Sequence, residues 1–132
     1  MFPAVSPGGA VEGLRYPHTT FLEEARPAVE ACDALGVHFY WAAGDPLEGA
    51  IGQLDTYAAQ FPGKPLWVTE ASYLSGDLSD EDMAAQYLRF IELVRARPFI
   101  RGLVFFVASA FDPNFTNEVW LGKNIAPIVG NR

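Results

Sequence analysis

Apolar residues along this chain gather into short runs, and between them lie longer stretches with helical spacing. Phe2 to Val5 is a short apolar piece closed by the turn cluster Ser6-Pro7-Gly8-Gly9. Thr19 or Thr20 is placed to cap a helix through Phe21, Leu22, Ala25, Val29, Cys32 and Leu35, with a kink or late start at Pro27. Val37-His38-Phe39-Tyr40-Trp41 reads as the next strand. A second helix over roughly 47–61 carries the stripe Ile51, Leu54, Ala58 and Phe61, and Pro62-Gly63 ends it. The strand Leu66 to Thr69 then runs into Glu70. Ser79, followed by Asp80, Glu81 and Asp82, marks the clearest helix start, where the helix dipole favours acids. That helix presents Ala84, Tyr87, Leu88, Ile91 and Val94 and runs to about Arg97, before Pro98. Gly102 leads into Leu103 to Val107, a continuous apolar run expected for a strand buried on both faces. The tail, broken by Gly122, Pro127 and Gly130, offers a short or irregular helix at best.

The order is therefore βαβαβαβ with a weak final helix. Such alternation predicts an α/β fold of parallel βα repeats with right-handed crossovers. At 132 residues, without linker or low-complexity tract, residues 1–132 read as one domain.

Composition narrows the functions. Half the residues are hydrophobic and 14% are aromatic, which excludes a disordered chain. Nine Lys and Arg against 16 Asp and Glu give a net charge of −7 with no basic cluster, so no nucleic-acid or anionic-membrane partner is expected. The single Cys32 excludes an intrachain disulfide and a cysteine-based zinc site; its apolar surroundings suit a plain buried cysteine. His18 and His38 lie far apart, so no His-rich metal site is expected. The chain has no Gly-x-Ser-x-Gly elbow, P-loop or Gly-x-Gly-x-x-Gly, and no cofactor is expected. It opens on no signal-peptide pattern and holds no run of 18 apolar residues. Compartment stays open, with the cytoplasm as default.

Parallel strands show their C-terminal ends on one side, where α/β enzymes place their chemistry. Collected there are Ser6; His38, Tyr40 and Trp41; Glu70 and Tyr73; and Ser109, Phe111 and Asp112. A carboxylate among hydrogen-bonding aromatics suits a sugar, whose apolar C–H faces are ringed by hydroxyls. Each residue also has a plainer reading. Glu70 could cap a loop or pair with a base, and His38 and Trp41 could be core. Asp112 before Pro113 and Ser6 before Pro7 suit turns, and Trp67 suits packing.

Three segments also resemble a family: Asp33-Ala-Leu-Gly-Val-His38-Phe-Tyr40-Trp41, Lys64-Pro-Leu-Trp-Val-Thr-Glu70 and Gly102-Leu-Val-Phe-Phe. Together they resemble the C-terminal half of retaining glycoside hydrolases of clan A, which are (β/α)8 TIM barrels. The resemblance implies that Phe2–Val5 is the fifth strand and the three segments the sixth, seventh and eighth. It implies that Glu70 is the catalytic nucleophile, with His38 and Tyr40 beside it in the cleft. Trp41, Tyr73 and Ser109 are the further substrate-binding candidates. The chain departs from the family at the end of the eighth strand, where Val107-Ala108-Ser109 stands in place of a sugar-binding tryptophan. The family's acid/base belongs to the fourth strand, ahead of Met1; Glu118 and Asp112 in the tail do not match its pattern.

The sequence thus points to half of a TIM barrel, a fragment performing retaining hydrolysis of O-glycosidic bonds once completed. The partners expected are a carbohydrate substrate and either the missing N-terminal half barrel or a homo-oligomer. Two alternatives stand beside it. One is a non-catalytic carbohydrate-binding remnant with Tyr40, Trp41 and Tyr73 as a stacking platform. The other is a small α/β interaction module.

Overall fold

The computed structural model of the protein describes residues 1–76 and 78–131. Four strands, β1 (Phe2–Val5), β2 (Leu35–Trp41), β3 (Leu66–Tyr73) and β4 (Ile100–Leu103), form one sheet in sequential order, and each neighbouring pair is parallel. Helices α1 (His18–Glu24) and α2 (Arg26–Ala31) connect β1 to β2. Helices α3 (Leu47–Ala50) and α4 (Gly52–Gln60) connect β2 to β3, α5 (Asp80–Arg95) connects β3 to β4, and α6 (Ile125–Gly130) follows. A short 3-10 turn, Pro113–Phe115, lies between β4 and α6.

Side chains alternate across a strand, and this alternation divides the sheet into two unlike faces. Leu35, Val37, Phe39 and Trp41 of β2 join Leu66, Val68 and Ala71 of β3 in the core with Leu22, Val29, Leu54, Tyr57, Tyr87 and Phe90 of the helices. The Phe90 ring stacks on Phe39 with centroids 4.9 Å apart and 2° between planes. The other face carries His38, Tyr40 and Glu70, all partly exposed, and Trp67, which is 42% exposed. Trp67 lies in register with Gly36 and Gly102 on its flanking strands. A Cβ on Gly102 would run into the Trp67 ring, so the glycine provides its berth. Trp67 is therefore on the open face and not in the core packing.

Several elements differ from the sequence pattern. Leu35, spaced as the last residue of the first helix, instead opens β2. Thr19 and Thr20 lie inside α1, whose N-cap is Pro17 with no side-chain cap. The expected kink is a full break at Ala25, with Pro27 in the first turn of α2, where its missing N–H costs nothing. The α5 boundaries and its Ser79 cap match the pattern: Ser79 Oγ accepts from the Asp82 backbone N–H at 3.1 Å. Its buried stripe is Met83, Ala84, Tyr87, Phe90 and Val94, rotated from the expected one because the aromatic Phe90 takes the position against the sheet.

The run Leu103–Val107 is not a doubly buried strand. β4 ends at Leu103, and Val104 is 54% exposed. The backbone N–H groups of Val104 and Phe106 still donate to the carbonyls of Val68 and Ala71, at 2.8 and 2.9 Å. Among the described residues no strand pairs with the other side of this run. From Val107 the chain turns to its own tail: Val107 N–H donates to Glu118 O at 3.2 Å, and Trp120 N–H to Val107 O at 3.0 Å.

Candidate active site

A β-bulge builds the site. β2 and β3 pair in step from Leu35–Leu66 to Val37–Val68, then skip Thr69, so that His38 faces Glu70. Such an extra residue re-aims the side chains that follow it. In strict alternation from Val68, Glu70 would share the helix-covered face with Phe39. The Thr69 hydroxyl donates to the Val37 carbonyl at 3.3 Å across the bulge. The strand continues three residues beyond Glu70, because pairing persists to Trp41–Tyr73. The acid thus stands inside the strand and not at its end.

Glu70 keeps 31% of its side chain exposed. Its Oε2 accepts a short hydrogen bond from the Tyr40 hydroxyl and lies 3.2 Å from His38 Nδ1. The same Nδ1 is 2.8 Å from Ser6 Oγ. A carboxylate oxygen facing a ring nitrogen needs a proton between them, so Nδ1–H is the tautomer the contacts assign. That hydrogen is shared between Glu70 and the Ser6 oxygen. Glu70 Oε1 has no hydrogen-bond partner among the described residues. One oxygen is anchored and the other is open, which is the arrangement an attacking carboxylate requires.

Tyr40 is tuned as a donor. Burial pushes its phenol above its ordinary value, and the bond to Glu70 and the charges of Glu70 and Glu118 push it the same way. It stays protonated at neutral pH and keeps donating to Glu70. Glu118 is itself only 5% exposed, and its Oε2 is buried without a hydrogen-bond partner among the described residues.

The structure brings Glu70, His38 and Tyr40 together and adds Ser6. Trp41 is 1% exposed, on the helix side of the sheet, with its ring 5.0 Å from Phe90 and 5.6 Å from Tyr87. Its Nε1 donates to Gln86 Oε1 at 3.1 Å. Tyr73, 6% exposed, lies beside it at 6.3 Å. Period-two alternation puts these rings out of phase with Tyr40, so they are core residues and form no stacking platform with it. Ser109 is exposed, with no hydrogen bond to the Glu70 group among the described residues. Asp112 caps the 3-10 turn, its Oδ1 accepting from Asn114 N–H at 2.9 Å. The sequence placed Ser6 at the strand ends, directly after β1, but its plainer reading there was a turn residue, and its contact with His38 was not foreseen. The burial of Glu118 left no mark in the pattern. No group of three or more His, Cys, Asp or Glu able to hold a metal occurs among the described residues, and no described helix is long and apolar enough to cross a membrane.

Solved structures share this architecture. An endo-β-1,3-glucanase of family GH128, subgroup II, from Sorangium cellulosum superposes with a TM-score of 0.76 at 24% identity, over 98% of this chain and 53% of that one. A subgroup I endo-β-1,3-glucanase from Amycolatopsis mediterranei, in complex with laminaritriose, matches at 26% identity and TM-score 0.53, over 81% and 46%. A substituted form of that enzyme with laminaripentaose matches at 24% identity and TM-score 0.55, over 89% and 52%. The chain spans about half the length of these structures. No curated protein matches it. Residues 1–124 match the family described as the glycosyl hydrolase catalytic core. With that match over nearly its whole length, the chain belongs to the glycosyl hydrolase catalytic core family.

Proposed function

We propose that the chain is the C-terminal half of a clan A-like glycoside hydrolase barrel, residues 1–132 forming its last four βα units, and that it acts on β-1,3-glucan by retaining hydrolysis. The observation that carries the reading is the anchored carboxylate: Glu70 held at Oε2 by Tyr40 and His38, with Oε1 open, on the uncovered face of a parallel sheet. The glucan is suggested by the laminari-oligosaccharides bound to the neighbouring structures.

Glu70 Oε1 attacks the anomeric carbon, the glycosidic C–O bond breaks, and a glycosyl ester forms. Water then hydrolyses the ester. Tyr40 and His38 orient the nucleophile and spread its charge before attack. As the ester forms, their bonds hold the remaining carbonyl oxygen. The protonation of the leaving oxygen needs a second carboxyl about 5–5.5 Å from the first in a retaining enzyme. Under this reading it comes from the partner half, whose strands pair with the free edges of β1 and β4.

The test is complementation. The chain is co-expressed with the remaining βα units of a glucanase of the same architecture, and hydrolysis of laminari-oligosaccharides is followed. Activity should appear and fall at least about a thousandfold in Glu70→Gln, as for loss of a nucleophile acting in a catalytic unit. Full activity in that variant would sink the assignment. The carbohydrate-binding remnant reading loses its basis, since two of its three platform rings are buried.

A further inference from the structure

We infer that Tyr16, on the loop after β1, is the aromatic wall of a glycan subsite next to Glu70, a specificity determinant of the proposed cleft. The inference rests on the glucan reading above and adds to it where the sugar chain lies. A cleft of about 460 Å³ opens beside the end of β1, with Ser6, Leu14, Arg15, Tyr16 and His18 among its lining residues. Ser6 links it to the candidate nucleophile: the Ser6 hydroxyl contacts His38 Nδ1, and that nitrogen contacts Glu70.

The loop is braced. Val11 and Arg15 exchange both backbone hydrogen bonds at 2.9 Å. The Arg15 guanidinium donates to the carbonyls of Gly9 and Pro7, at 3.0 and 3.3 Å. Gly8 makes this possible: its φ of 147° suits glycine, and a Cβ there would strike the guanidinium. His18 Nδ1 lies 2.9 Å from Gly8 O and ties the loop to α1. On this fixed support Tyr16 is 70% exposed and Leu14 84% exposed. A pyranose ring offers an apolar C–H face for an aromatic ring, and its hydroxyls meet the Ser6 hydroxyl, the ring nitrogens of His18 being engaged by Gly8 and Gln53. With Trp41 and Tyr73 buried, Tyr16 supplies an open aromatic surface in the wall of this cleft.

The experiment is an NMR titration of the full chain with laminaripentaose at up to about 10 mM, above a millimolar Kd. Four forms are compared: wild type, Tyr16→Ala, Tyr16→Phe and Val11→Ala. Backbone signals of Ser6, Tyr16 and Glu70 should shift in the wild type. Tyr16→Ala should bind about tenfold more weakly, the scale of one lost aromatic contact. Tyr16→Phe keeps the ring and should bind within about twofold of wild type, as should Val11→Ala, on the same loop but outside the cleft. Wild-type binding with shifts at Glu70 and an unaffected Tyr16→Ala overturns the subsite and leaves the glucan reading standing. No binding by the wild type overturns the subsite, while the glucan reading is decided by the complementation assay. Tyr16→Ala that loses complementation by the partner half while keeping sugar affinity assigns the residue to the joint between halves and overturns the inference.

Discussion

Tyr57 shows how a single hydroxyl can work against a fold. The residue is 1% exposed, and its oxygen has no hydrogen-bond partner among the described residues. Burial pushes its phenol from 10.0 up to about 12. In the unfolded chain the same group ionises near its ordinary value. Between those two values the unfolded state has released a proton that the folded state retains, so stability falls as pH rises there. Below pH 10 the linkage is silent and only the unmet hydrogen bond remains. Tyr57→Phe should therefore raise stability by about 1 kcal/mol at neutral pH, by removing an unsatisfied buried oxygen without opening a cavity. It should also flatten the decline above pH 10. Urea denaturation at neutral and alkaline pH checks both; a variant less stable than wild type would show that the hydroxyl has a partner in solution.

At the scale of elements, the Thr69 bulge takes up one extra residue ahead of Glu70. Deleting Thr69 removes the extra residue, so strict pairing runs from Val37–Val68 straight into His38–Glu70 and Glu70 keeps its face. The deletion and Thr69→Ala should therefore both keep cooperative unfolding, each within about 3 kcal/mol of wild type, the usual range of single changes, and loss of cooperativity on deletion would show that the bend of the bulge is itself required. Thermal melts of the two proteins measure the difference. The bulge also marks where the sequence stops being readable. The alternation of apolar runs and helical spacings was enough for four parallel strands, and Ser79 for the start of α5. The family resemblance singled out Glu70, His38 and Tyr40. Which rings face the helices could not be read, because Val37 to Trp41 has no polar residue except His38 to mark its phase. Trp41 and Tyr40 looked equally available, and one residue of phase separates core from cleft. The early end of β4 was hidden for a related reason. An apolar run signals burial, but among the described residues Leu103 to Val107 has a strand on one side only.

At the scale of the molecule, the sheet is unevenly held. β2 and β3 pair over seven positions, β3 and β4 over three, and β1 and β2 over two. The centre is also where the stacked rings of Phe39, Trp41 and Phe90 sit. The net charge of −7 is repulsive between copies and gives no help to the rims. Local opening should start at the edges and reach the middle last. Hydrogen–deuterium exchange should therefore give a gradient, with amides of β1 and β4 exchanging well before those of β2 and β3. Uniform protection across the four strands would contradict it. The consequence of the long central ladder is a matter of lifetime. Glu70, His38 and Tyr40 ride on the two slowest-exchanging strands, so the carboxylate and its two donors should stay assembled through excursions that unzip the rims.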